Sequence, residues 1–306
     1  MNPAWSVIFF TVLAGMGQGL FLILVRVAAD GADPLALAVG GFAATSLMCV
    51  GLACSFFHLG HPLRAWRAVA MWRTSWLSRE VIVLPATIGV VVLWSFAQLL
   101  GWSVASALGV AGVVLCLALW ICTGMIYACI RFLREWAHWY TPVNFLLLGW
   151  MSGAGVFAAY WFSLYGVFGS AGYIELALVT TIAAAIARMA SLARNRGLKP
   201  RSTPQSAIGV PNPKLRQMSQ GATGGSFNTR EFFHGRSALV VRNVKWIALG
   251  LAFALPAVLF AIATQAPSFA LLALASLSQV LGLLAERWLF FAQANHPQNI
   301  YYQAVA

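Results

Sequence analysis

The chain has 306 residues, 61% of them hydrophobic and only 8% charged, with a formal net charge of +12. A water-soluble domain needs roughly a quarter charged residues to cover its surface, so this composition excludes an ordinary globular protein. Several windows of about 20 residues carry no charge, the length that crosses a hydrocarbon core as a helix, and nothing resembles the alternating ten-residue segments of a barrel. The fold class that follows is all-α, a polytopic membrane protein. Lys and Arg concentrate in the cytoplasmic loops of such proteins, so the basic balance calls for no nucleic acid, and none is expected as a partner.

In chain order, "MNPAWSVIFFTVLAGMGQGLFLILV" opens without a basic leader or a small-residue cleavage site, and reads as a retained first helix. Eight spans are predicted at about 5–27, 35–57, 80–100, 104–130, 142–166, 171–193, 244–264 and 268–292, forming one transmembrane domain over 1–306. Pro142 is expected to open the fifth, where its missing N–H does no harm. Short links such as "AADGADP", "GWSV", "GVFGSAG" and "QAPS" join spans on one side. Connections at 58–79, 131–141 and 194–243 join them on the other, which also holds both termini. Eighteen of the 19 Lys and Arg residues fall on that second side, and only Arg26 lies near the first. The positive-inside rule then puts both termini in the cytoplasm and the chain in the cell's inner membrane.

The segment 194–243 is the one substantial soluble piece. Its first half, rich in Pro, Ser and basic residues, reads as a linker. Its second half, "GGSFNTREFFHG", sets Phe227, Phe232 and Phe233 beside Arg230 and His234, and reads as a docking loop for a cytoplasmic partner. The cysteines at 49, 54, 116, 122 and 129 all lie in apolar segments with no C-x-x-C, so neither a disulfide framework nor an iron–sulfur cluster in this chain is supported.

The densest chemistry lies at 58–81, "HLGHPLRAWRAVAMWRTSWLSREV". His58 ends the second span and Glu80 begins the third, so two antiparallel neighbours can bring an imidazole and a carboxyl together at one membrane face. Ionisable groups at membrane depth are costly and mark substrate or proton paths, and an imidazole titrates near neutrality. A quinone, whose reduction takes two electrons and two protons, needs such donors. Equally open on spacing alone, His58 and Glu80 each only complement a helix dipole. Trp66, Trp72, Trp76 and the arginines suit an interfacial segment lying flat after Pro62. His58 and His61 lack a third zinc ligand, and His138, His234 and His296 fall in loops or tails, so neither metal nor haem is expected. Glu286 and Arg287 read as a local or interhelical ion pair.

At these residues the chain resembles a family. "FFHLGHPLRAWRA", "TSWLSREV" and the C-terminal "AERWLFFAQANHPQNIYYQ" resemble DmsC, the membrane anchor of dimethyl sulfoxide reductase, over nearly the whole length. The resemblance implies a haem-free, eight-helix anchor for an iron–sulfur electron-transfer subunit and a molybdopterin catalytic subunit. It also implies that His58 and Glu80 are the residues tied to quinol chemistry. Arg64, Trp76 and Arg79 are secondary candidates, at the site mouth or beside the ring. In the best-known members the catalytic arm is exported, whereas the charge count here turns the site and the long loop inward. That departure resembles the SoeC branch, which anchors membrane-bound sulfite dehydrogenase, and implies electrons running from sulfite to quinone. The rivals are a quinol-oxidising anchor of a dimethyl sulfoxide, other S- or N-oxide, or polysulfide reductase; a transporter, which the nearly charge-free central layer disfavours; and a purely structural anchor.

Overall fold

The computed structural model describes residues 1–199, 203–215, 231–232, 234–297 and 299. Among the described residues, eight helices are long and apolar enough to cross a membrane. They are α1 (Trp5–Ala29), α2 (Pro34–Phe56), α3 (Trp76–Leu100), α4 (Ala105–Ala128), α5 (Tyr140–Val167), α6 (Gly169–Arg196), α8 (Ala238–Gln265) and α9 (Phe269–Gln293); α7 (Pro204–Ile208) is one short turn in the loop after α6. Among the described residues there is no strand. The expected all-α polytopic fold is thus what the chain adopts.

Local chemistry sets the boundaries. The Asp33 side chain accepts from Ala36 N at 2.9 Å, and Pro34 opens α2. Ser75, Ser237 and Ser268 cap α3, α8 and α9 in the same way. Two of these caps lie upstream of the expected starts, so α3 begins at Trp76 rather than 80 and α8 at Ala238 rather than 244. α5 and α6 are separated by Gly166 at φ 63° and ψ −152°, a conformation that disfavours any residue with a Cβ. Within α8 a π-helical turn, Gly250–Ala254, precedes Pro256, whose ring cannot join the regular ladder.

α1 is the central helix, packed against α2, α4, α5 and α9. Its contact with α5 runs through glycines spaced four apart on both helices. A Cβ on Gly19 would stand 2.3 Å from the Gly149 carbonyl oxygen, and one on Gly153 would stand 2.2 Å from the Gly19 carbonyl carbon. Small residues at this spacing let two backbones touch, the form of packing that holds helices together where lipid supplies no hydrophobic drive. The Trp120 edge of α4 fits the same notch, 2.6 Å from where a Gly149 Cβ would be. α9 meets α8 in the same manner at Gly282. At the periphery, Val110, Val114 and Ile121 of α4 and Val179 and Ile186 of α6 are exposed, as a lipid-facing surface requires.

The described parts of the long loop turn back on the chain ends. Asn2 N donates to Glu231 O at 2.8 Å, Asn299 Nδ2 donates to Phe232 O at 2.9 Å, and Phe232 stacks on His296. Residues 216–230, which carry most of the expected docking motif, lie outside the described residues, as does the end of the C-terminal tail.

Candidate functional site

The 58–81 stretch folds as an exposed corner leading into a buried carboxyl. After α2, His58 and Leu59 stand exposed, and Pro62–Met71 forms a 3-10 helix with no buried residue. Leu63, Trp66, Met71 and Trp72 point outward, interleaved with Arg64, Arg67 and Arg73. That mixture suits a layer where apolar rings and cations share one surface. Arg79 closes the corner. Its Nε donates to Trp72 O at 3.0 Å, its Nη2 donates to Arg73 O at 2.8 Å, and its guanidinium lies 4.2 Å from the Trp76 ring centroid. Arg79 and Trp76, two of the candidates, are therefore brought together, but as a clamp on the backbone. Arg64 stays exposed.

Glu80 lies one turn inside α3 and is 6% exposed. Its Oε1 accepts a hydrogen bond from the Thr123 hydroxyl of α4. With that oxygen engaged as an acceptor, Oε2 is the one left to carry a proton. Among the described residues no hydrogen bond or ion pair joins His58 to Glu80. The two share the corner, one exposed and one within the bundle. Surrounding protein withdraws water from His58 and lowers its pKa from the ordinary 6.5.

A second constellation lies deeper and does not read as a unit from the sequence. Glu286 of α9 pairs with Arg188 of α6 (Nε to Oε1, 2.6 Å) and with neighbouring Arg287 (Nε to Oε2, 2.5 Å), all three almost fully buried. The Arg287 guanidinium also lies 4.4 Å from the Phe145 ring centroid and 4.9 Å from that of Phe290. The expected ion pair is present. Arg188, counted from sequence among the charges at the membrane face, instead sits inside the bundle at 2% exposure. Gln18, Trp120 and Thr123 are further buried polar groups that sequence reasoning passes over; a glutamine midway along an apolar span is the available signal. Among the described residues no three His, Cys, Asp or Glu side chains gather as a metal site.

Between these constellations lie two small cavities, of about 10 Å³ and about 20 Å³. Neither admits a quinone ring. A much larger cavity of about 430 Å³ opens where α6 and α9 end and α8 begins, lined by Arg196, Arg242, Lys245 and Glu135 together with apolar residues such as Val241 and Leu289.

Comparison with known proteins adds the following. The family model for the DMSO reductase anchor subunit (DmsC) matches residues 1–293. The C subunit of sulfite dehydrogenase from Allochromatium vinosum is 46% identical over 330 aligned positions that cover 100% of both chains. The anaerobic dimethyl sulfoxide reductase chain YnfH of Escherichia coli is 29% identical over 161 positions, covering 51% of this chain and 56% of that one.

Proposed function

Because the chain belongs to the DmsC family of DMSO reductase anchor subunits, we propose that it is the quinone-reactive membrane anchor of a sulfite dehydrogenase. In this reading sulfite is oxidised at molybdenum in a catalytic subunit, electrons cross the clusters of an iron–sulfur subunit, and quinone collects them at the membrane. The full-length likeness to the sulfite dehydrogenase protein favours this assembly over the shorter and weaker likeness to a dimethyl sulfoxide reductase chain, whose electrons would run from quinol outward.

The single observation that carries a quinone site is Glu80, a carboxyl inside a membrane span, hydrogen-bonded by Thr123 at the membrane face where the cations cluster. Such groups are costly to bury in a membrane span and therefore mark substrate or proton paths. Bound quinone supplies the two-electron carbonyl chemistry. This chain supplies a proton at Glu80 Oε2, a hydrogen-bond donor at His58, and an apolar approach along Phe57 and Leu59. The proposed place for the ring is the lipid-facing edge of the corner, between the exposed imidazole and the first turns of α3 that carry Glu80, since the inner cavities are water-sized. The Arg79–Trp76 clamp lies at that edge, and Arg64, exposed on the 3-10 helix, is proposed to face it. The excess of Lys and Arg on this side supports a cytoplasmic orientation for it, facing the partners, in the inner membrane. The loop 194–243 is the proposed docking element for the iron–sulfur subunit.

The test uses the purified complex of all three subunits in lipid nanodiscs, with sulfite as donor and either a short-chain quinone or a soluble dye that accepts electrons upstream. Glu80→Gln keeps assembly and dye reduction while quinone reduction falls by about 100-fold or more, the scale of a lost proton donor. His58→Ala lowers quinone reduction in the same selective way. Unchanged quinone reduction in both variants would make the chain a structural anchor.

A further inference from the structure

Among the described residues, four charged side chains are buried within the spans: Glu80, Arg188, Glu286 and Arg287. Two guanidiniums face one carboxylate in the inner group, so that group carries an unbalanced positive charge, and Glu80 is the remaining carboxyl in the interior. The two small cavities lie between them. The first, about 10 Å³, is lined by Thr123, which holds Glu80, and by Thr11, Gln18 and Trp120. The second, about 20 Å³, is lined by Thr11 again, with Ser152 and Arg287. Thr11 is common to both.

The unpartnered atoms around these spaces match them. Gln18 Oε1 and Trp120 Nε1 are buried without a hydrogen bond on the first, and Arg287 Nη1 and Nη2 are buried without one on the second. Leaving such groups dry forfeits the hydrogen bonds they make in water. A water needs roughly 10–15 Å³ and two to four polar neighbours, and each cavity offers both. In the first, the water accepts from Trp120 Nε1–H and donates to Gln18 Oε1 and to Thr123 Oγ1, whose own proton goes to Glu80. In the second, the water accepts from Arg287 and donates to Ser152 Oγ and Thr11 Oγ1, and the relay continues when the Thr11 hydroxyl, which lies within reach of both Val7 O and Ile8 O, turns instead to the first water. Tyr127 of α4 lies within electrostatic reach of both Glu80 and Arg287, so the two ends are not remote.

We propose that one water occupies each cavity and that Arg287 acts through them, by way of Thr11 and Thr123, as a positioning residue for the proton that Glu80 passes to quinone. The inference rests on the quinone reading above. Two electrons reach the quinone from the iron–sulfur partner. One oxygen takes its proton from Glu80, breaking the Oε2–H bond and forming the quinol O–H; the other takes a proton from water at the membrane face. The carboxylate left behind meets the Thr123 hydroxyl and the oriented waters, and its charge is matched by the surplus guanidinium. Water at the membrane face then reprotonates it. Cys122 and Tyr127 of α4 are the other ionisable groups within reach of Glu80, while Arg79 is held against Trp72 O, Arg73 O and the Trp76 ring.

The decisive variant is Thr11→Val, which removes the hydroxyl shared by both cavities and leaves the ion cluster intact. In the complex of all three subunits it lowers quinone turnover at saturating quinone by about tenfold while KM for quinone and dye reduction hold. It also shifts the Glu80 carboxyl band in the redox-induced infrared difference spectrum, a band identified by its loss in Glu80→Gln. Arg287→Gln behaves likewise and Arg287→Lys restores turnover; should Arg287→Gln fail to assemble, Thr11→Val decides. A high-resolution map of the complex shows one water density in each cavity. Turnover within about twofold of wild type with an unmoved band in Thr11→Val, or empty cavities, overturns the inference. If Glu80→Gln is inactive and Thr11→Val is not, the inference alone fails; if Glu80→Gln is active, the quinone site fails with it.

Discussion

Glu286 is held by two guanidiniums at 2.5 and 2.6 Å, and each guanidinium in turn depends on it. Glu286→Gln therefore strands two buried cations, and unfolding of the chain in nanodiscs should become easier by about 3–5 kcal/mol, the usual cost of breaking a buried pair. His58 carries a prediction of a different kind. Its folded pKa lies below the unfolded 6.5, so the unfolded chain binds the proton first as pH falls. Its contribution to stability is complete above pH 6.5 and is lost as pH drops through the folded value. At neutral pH the imidazole is uncharged and serves quinone as an N–H donor. An NMR titration, with the His58 signal identified by its absence in His58→Ala, should place the midpoint under 6.5. At this scale the sequence is half legible. An ionisable group at membrane depth advertises itself by its rarity, so Glu80 and the Glu286–Arg287 pair can be found. Thr123, Gln18 and Trp120 are ordinary members of apolar helices, and what makes them polar partners is which way each helix faces. For the same reason Arg188 reads from sequence as a membrane-face charge. Antiparallel spans allow His58 and Glu80 to meet, whereas in the fold one is exposed and the other points at α4.

Helices α1 and α5 are set by what they lack. Gly153→Leu would drive a side chain into the α1 backbone, and it should cost at least about 1–3 kcal/mol and lower the yield of folded chain. Gly89 in α3 has nothing within 4 Å of its would-be Cβ, so Gly89→Ala should instead stabilise by about 0.5–1 kcal/mol. Thermal unfolding of the two variants separates close packing from simple helix preference. The eight spans themselves are plain from hydropathy, because length and freedom from charge are one-dimensional properties. Their starts are less plain where an interfacial stretch runs into the helix. "TSWLSRE" looks like loop until Ser75 is seen to cap α3. The 3-10 helix at Pro62–Met71 answers to the expected interfacial segment, its exposure agreeing with its mixture of Trp and Arg. The glycine spacing on α1 and α5 is written in the sequence, but which helix each glycine meets depends on three-dimensional neighbours.

Across the whole molecule, eight spans return the chain to the side where it began, and the cations gather there. A fluorescent-protein fusion in the loop after α6 should light up in the cytoplasm, and an alkaline phosphatase fusion in the Asp30–Asp33 link should be active outside; the reverse pattern would turn the proposed site outward. The same asymmetry extends inward, since Glu80, Arg188, Glu286 and Arg287 all lie in the half of the bundle nearer that side. A protein that handles protons beside a charged membrane must not become a leak. Hydronium or sodium straying into the interior would confront two guanidiniums restrained by a single carboxylate, a repulsive barrier of the sort that bars cations from water channels. Reconstituted liposomes bearing the intact chain should hold an imposed pH gradient, and neutralising Arg287 should let it decay faster.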